Sequence, residues 1–424
     1  KKLDLYCGDV GKEQKPLSEC VPVSAMDYYA AIIAGDLYDP ALVPSLLTAL
    51  ARPFKPAYLV NGQAGPPAQN GVLDALRKIG SASSAQAVLD LAMSTKDLNL
   101  KPMAVGVYSF VSKDGGEKTG TTTGLDALGK IVADTSQDFT VRLESATSYA
   151  RLARTPDRLK VLQDQVKAFA EGAKKARDTA EGAPKAALAA AKAPYDIARE
   201  ELTVAKAAIA RLGGMKKVEE GVKKGTIEPD VLNKLTTAQT AVDKVEGAYD
   251  DAKLDYGEAD AKAKNLKASQ RVFEAHIARV EIAIRCGTNA DCYAGALTAT
   301  FESVKGDLGK HLAGVDALND DEKKELLAAQ IERAMLELGK MGPAAAAQTD
   351  KLLTAVKSTD RIVRQSVQLA LPKIAGKDCK DCGARLDEAI AAGEGKTTLG
   401  DLNYETTVVR SYWGDSAVAA AVAP

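Results

Sequence analysis

The chain has 424 residues, enough for one large buried core or for two to three domains. Its 56 Lys and Arg nearly cancel its 57 Asp and Glu, for a formal charge of −1, so the basic excess with which nucleic-acid binders neutralise phosphates is missing and no nucleic-acid partner is expected. Aromatic residues are only 5 % of the chain, strand-like alternation is scarce, and no apolar run approaches the ~18 residues of a membrane span, so the chain is expected to be nearly all-α with no transmembrane segment.

Residues 1–38 read as an irregular N-terminal segment. KEQKPLSECVP is polar and Pro-interrupted, and a Cys7–Cys20 bridge would tie it down. A helical rhythm starts at Asp39, a candidate N-cap followed by Pro40 at the first helical position. Leu42, Val43, Leu46, Leu47 and Leu50 keep helical spacing. Past the loop NGQAGPPAQ, short helical tracts recur to residue 156: NGVLDALRKIG, SSAQAVLDLAMS, KPMAVGVYSFVS, LDALGKIVADTSQ and DFTVRLESATSYARLA. Helices of this length separated by short breaks are the mark of stacked helix pairs.

Residues 157–285 differ in composition, being rich in Ala, Lys, Glu, Asp and Gln with few loop signals. Leu159, Leu162, Val166 and Phe169 start one apolar seam, and Val231, Leu235, Ala238, Val242, Val245 and Tyr249 mark another. Between them lies GGMKKVEEGVKKGTIEP, a glycine-rich tip near 213–229. The pattern predicts an inserted antiparallel helical (coiled-coil) hairpin, each arm reaching on the order of 80 Å. Gly172, Gly182, Pro184 and Pro194 predict a kink or break in the outgoing arm. An independent helical bundle of the same length is the alternative. Polar arms bury little surface alone, so the hairpin is expected to reach a partner or to self-associate.

Residues 286–392 return to short helices: DEKKELLAAQIERAMLELGKMGP, AAQTDKLLTAVKST and DRIVRQSVQLALPKIA. The last matches DFTVRLESATSYARLA in an opening Asp-x-x-Val-Arg, with Asp138, Val141 and Arg142 in one and Asp360, Val363 and Arg364 in the other. LDALRKIGSAS and MLELGKMGPAA also correspond, each an apolar helix ending in Gly. On these residues the chain resembles HEAT-repeat proteins over roughly Asp39 to Asp157 and Arg279 to Ala392. The resemblance implies a HEAT-like α-solenoid, with Asp138, Arg142, Asp360 and Arg364 linking neighbouring repeats by hydrogen bonds. The first repeats lack a clear Asp/Arg pair, and Pro372 is expected to interrupt one helix. Residues 393–424 read as a capping segment and tail, in which Trp413 either closes the last repeat or anchors a partner.

The six cysteines form three close pairs: Cys7 with Cys20, Cys286 with Cys292, and Cys379 with Cys382. Local pairs predict structural disulfides, which persist in oxidising compartments. The expected location is periplasmic or otherwise extracytoplasmic, in a bacterial-type envelope. The alternative is a cytosolic chain with six reduced, buried thiols. The chain opens on Lys1-Lys2 without Met, which fits a mature or trimmed form, and a lipid anchor on a segment missing from this chain is compatible with it. The CxxC of Cys379 and Cys382 also admits redox or metal chemistry, and a zinc site would need Cys286 and Cys292 to converge on it.

Other chemical signals are thin. GEGKTT at Gly393 lacks the first glycine and the strand of a phosphate-binding loop and reads as a turn. His276 and His311 are the only histidines, and no HExxH or triad pattern occurs. Lys216, Lys217, Lys223 and Lys224 are candidate tip contacts for an anionic partner, although a solvated mixed-charge turn is the plainer reading. No catalytic residue, cofactor or metal is therefore assigned. The expected function is a non-enzymatic protein–protein interaction scaffold, binding partners through the solenoid face and the hairpin arm. A cysteine-based redox or metal module, or a self-associating spacer, is the alternative.

Overall fold

The computed structural model describes residues 6–7, 15–16, 23–51, 59–60, 63–64, 68–356, 361–376, 379 and 381–391. Among these the protein is all-α apart from three antiparallel pairs of two-residue strands, at Tyr6–Cys7 with Lys15–Pro16, Leu59–Val60 with Gln63–Ala64, and Lys118–Thr119 with Thr122–Thr123. The chain forms two compact units. Lys1–Gln165 and Phe273–Pro424 make the first, and Val166–Val272 the second.

In the first unit, Val23–Asp36 forms helix α1, where the reading of residues 1–38 had no regular structure. Its run of alanines and isoleucines has no sharp amphipathic stripe, so only its packing on a later helix reveals it. Asp39 accepts from Ala41 N and starts the short turn Pro40–Leu42, as its sequence predicts. Then follow α2 (Val43–Leu50), α3 (Ala68–Ile79), α4 (Ala85–Ser94), α5 (Leu100–Val111), α6 (Gly124–Ala133) and α7 (Phe139–Leu152). Helix α1 packs on α3, α3 on α5 and α5 on α7, while α4 packs on α5 and α6 on α7. Leu73, Leu76, Leu89, Val105, Leu128 and Val132 have no measurable exposure. Burying each such side chain contributes roughly 1.5–3 kcal/mol. Glycine permits the closest approach: a Cβ on Gly71 would lie 2.7 Å from Tyr28 O, and one on Gly35 2.7 Å from Ala75 Cα.

Helix α8 (Leu159–Glu181) begins in this unit, with Leu159 and Leu162 buried, and the chain passes into the second unit within it. There α9 (Ala183–Arg211), α10 (Met215–Lys223) and most of α11 (Asp230–Cys286) follow. Tyr195, Ala198, Leu202 and Ala205 pack against Leu235, Ala238, Val242 and Val245. The rings of Tyr195 and Tyr249 stack with centroids 4.3 Å apart. Farther along, Leu266 lies 3.6 Å from the position of a Gly172 Cβ, so partners descend on α11 as they ascend on α8 and α9.

Of the expected breaks, only the one at Gly182 occurs, between α8 and α9. Pro184 takes a first-turn position of α9, where its missing N–H costs nothing. Gly172 and Pro194 lie inside continuous helices. The predicted glycine-rich tip also holds a helix, α10, because Val218 is fully buried and Ile227 packs onto Gly221. Gly213 and Gly214, each at φ +93°, and Gly225 at φ +68° make the turns around it.

The first unit resumes in the last turns of α11, where Phe273, Ile277, Val280 and Ile282 are buried. It continues through α12 (Ala290–Gly295), α13 (Phe301–Leu308), α14 (Asp320–Met341), α15 (Thr349–Ala355), α16 (Arg361–Ala375) and α17 (Cys382–Ala391). Asn319 and Glu322 form a reciprocal capping box at the start of α14. Gly80 after α3 and Gly342 after α14 both have positive φ, +67° and +59°, which explains the matching glycines in their sequences. Pro372 does not interrupt its helix: α16 runs through it to Ala375. A proline removes one backbone donor, and here the buried flank of Leu371 and Ile374 holds the helix together.

Candidate functional site

The two Asp-x-x-Val-Arg tracts supply the first site residues. Asp138 caps α7, accepting from Thr140 N and Val141 N. Arg142, buried to 9 % exposure, reaches back to the end of α6 and donates to Val132 O at 3.2 Å and to Gln165 Oε1 at 2.8 Å. The aspartate thus organises its own helix start, and the arginine fastens the helix before it. Arg364 is buried on α16, while Asp360 lies outside the described residues.

The larger polar cluster is one that sequence reasoning missed. It gathers where α7, α14 and the end of α11 meet. Glu332 on α14 accepts from Arg151 Nε at 2.9 Å and from Arg279 Nη2 at 2.6 Å. Burial pushes its carboxyl up, but the two guanidinium groups outweigh burial and hold it well below the usual carboxylate range. The Arg151 guanidinium also lies over the Phe110 ring, 4.6 Å from its centroid. His276 is buried beside Arg279, its Nδ1 2.8 Å from Arg279 Nη1 and its ring edge-on to Phe273. Burial, with Arg279 adding to it, holds the imidazole pKa well below 6.5.

One helical step away, Arg333 is completely buried. It donates to Ala150 O and to Ala153 O at the C-terminal end of α7, and its Nε lies 2.8 Å from Glu337. Arg154 pairs with the other oxygen of Glu337 at 2.6 Å. The sequence signal was present but quiet. In AAQIERAMLELGK, the charged Glu332, Arg333 and Glu337 interrupt an apolar helix that contributes Ala334, Met335 and Leu338 to the core. Charges at core spacing need partners, and only the packing supplies them.

Two of the three expected cysteine pairs are disulfides, Cys286–Cys292 and Cys379–Cys382. The third lies outside the described residues, since Cys20 is not among them. Cys286 ends α11, Gly287 turns at φ +58°, and Asn289 caps α12 by accepting from Cys292 N, so this bridge closes a tight turn. Cys379 is half-buried and Cys382 fully buried at the start of α17, with Asp381 Oδ1 3.3 Å from Cys379 Sγ. Cys379, Asp381 and Cys382 form a compact ligand group among the described residues, and Cys286 and Cys292 are not in it. As disulfides the sulfurs offer no thiolate to a metal. Reduction is expected to open Cys379–Cys382 before Cys286–Cys292. The Cys382 thiolate leaves at a helix N-terminus, where the helix dipole favours it, whereas Cys286 sits at a C-terminus, where it does not. Stepwise alkylation with peptide mapping along a dithiothreitol titration checks the order, and simultaneous opening contradicts it.

A cleft of about 520 Å³ is lined by Thr121, Thr122, Asp126, Lys130, Tyr149 and Arg158. Asp126 pairs with Arg158 and accepts from Thr123, and Lys130 Nζ lies 3.3 Å from the Thr122 hydroxyl, so the charged groups of the cleft are engaged within it. The tip lysines Lys216, Lys217, Lys223 and Lys224 are exposed on or beside α10, interspersed with exposed Glu219 and Glu220, and converge on nothing in their unit. The segment 393–424, with GEGKTT and Trp413, lies outside the described residues. Comparison of the chain with protein-family models, curated proteins and solved structures finds no match.

Proposed function

We propose that the chain is a non-enzymatic protein–protein interaction scaffold of an extracytoplasmic compartment. In this reading the first unit is a HEAT-like α-solenoid and the second an antiparallel helical hairpin inserted into it. The observation that carries it is a repeated fastening. Arg142 grips the end of α6 from α7, and Arg333 grips the end of α7 from α14, on the far side of the inserted residues. A repeat array that resumes after an insertion calls for the same link twice. The two disulfides support an oxidising compartment. Ile197, Val204 and Leu254 stay largely exposed on the second unit, which supports a contact role for it.

Self-association through the same unit is the second reading, favoured by the seven-residue spacing of exposed Ile197 and Val204. Photo-crosslinking in the natural host tests both, with the probe at Val204 and separately at Lys216. A recurrent adduct with one other protein is the expected result. An adduct of twice the chain mass turns the reading to the spacer, and no adduct at either position sinks the scaffold.

A further inference from the structure

Several helices of the first unit bring their C-terminal ends to one place. The end of α3 at Gly80 lies near Phe110 O of α5, and the end of α14 at Gly342 lies near Lys373 O of α16. Arg154, just past α7, donates to Lys113 O beyond α5. Cations collect here, as the negative ends of helix dipoles require. Arg154 and Lys340 share Lys113 O, at 3.3 and 3.5 Å, and Arg333 takes the last carbonyls of α7.

The full charges do not balance. Glu337 is the carboxylate paired here, and it already serves Arg154 and Arg333. Lys340 and Lys373 remain without a carboxylate partner among the described residues, and Arg77 beside Lys373 is answered by Asp74. The Lys373 stem passes Gly339, and its ammonium rests on Gly80, where a Cβ would collide with it. Gly80 therefore leaves the space that the ammonium occupies. Both lysines are half-buried, and the contact of the Lys340 ammonium with Lys113 O lies at the solvent-exposed surface. Helix-end carbonyls offset only part of this charge, so two half-buried ammonium groups on adjacent helices, flanked by Arg77 and Arg154, remain costly to assemble without a full counter-charge.

We propose that Lys340 and Lys373, with Arg77 and Arg154 at the rim, form a binding site for a doubly charged oxyanion of the sulfate or phosphate type. Such a group would offset both ammonium charges and accept hydrogen bonds from each. Without it the amines hold their protons weakly. Burial lowers Lys340 to about 7, with Arg333, Arg154 and Lys373 adding to the effect and Glu337 opposing it. Burial, then Arg77, lowers Lys373 to about 8. The anion and the protons therefore bind together, and affinity falls as pH rises through these values.

Sulfate is the probe, because it stays doubly charged over the whole range and leaves only the protein to titrate. Isothermal titration of the full chain at constant ionic strength is expected to show one saturable sulfate site absent with chloride. Its affinity should fall at least about tenfold between about pH 6 and about pH 9. Lys340→Met and Lys373→Met should each weaken it by about tenfold or more. Both variants remove a half-buried charge and keep the stem, so they should fold, which circular dichroism and a melting temperature in chloride no lower than the wild type's confirm. Sulfate binding unchanged in either variant, pH-independent binding, or no heat beyond chloride overturns the site.

Discussion

Replacing Glu332 with Ala is expected to cost about 3–5 kcal/mol of stability in the first unit, because it leaves the largely enclosed but not fully buried Arg151 and Arg279 without their shared counter-charge. Glu332→Gln should lose less, since it keeps the shape and one acceptor. Urea unfolding followed by circular dichroism reads both values, and a loss below about 1 kcal/mol for the alanine variant would mean that solvent already screens the cluster. The same residue sets an acid limb. Its carboxyl is depressed in the folded state, while in the unfolded chain it titrates near the ordinary 4.5. Its contribution is therefore complete above that value and is lost progressively as pH falls below it toward the lower folded-state value. The wild type should lose stability steeply in that range and Glu332→Gln less steeply. Parallel acid limbs for the two proteins would rule out the paired carboxylate as the cause.

The second large effect belongs to Arg333. Arg333→Met removes the donors to Ala150 O and Ala153 O and leaves Glu337 with Arg154 alone. Two buried carbonyls and half of an ion pair lose their partner, for an expected cost of about 3–5 kcal/mol. Arg333→Met combined with Glu337→Leu should be more stable than Arg333→Met alone, because an apolar pair of similar volume needs no counter-charge and the half-exposed Arg154 can turn to water. Hydrogen exchange at the end of α7 locates the damage: protection there should fall in the single variant before it falls in α3. A double variant less stable than the single one would show that Glu337 does more than answer Arg333.

Several features were legible before any coordinates. The all-α character followed from scarce strand patterning, the Asp39 cap from residue type, and the helix-ending Gly80 and Gly342 from their place after apolar runs, whereas the capping role of Asp138 emerged only in the structure. Cysteine spacing gave the pairs Cys286–Cys292 and Cys379–Cys382. These are local matters, decided within a turn or two of chain. Errors arose where tertiary contact overrode local signals. Val218 and Ile227 made a helix of a segment read as a glycine turn, and packing carried α16 through Pro372.

The sequence by itself determined the all-α character, the Asp39 start, the Gly80 and Gly342 ends and the short disulfide loops, because capping, glycine conformations and cysteine spacings of six and three residues act over a few residues. Only the tertiary structure decided which charges are buried together. Arg151 and Glu332 are 181 positions apart in the chain, as are Arg333 and Ala150 at 183, and no local pattern distinguishes such charges from the solvated ones on helix faces. Their roles arise when packing removes water from them, since a charge that loses its hydration must find its partner wherever the fold has placed one.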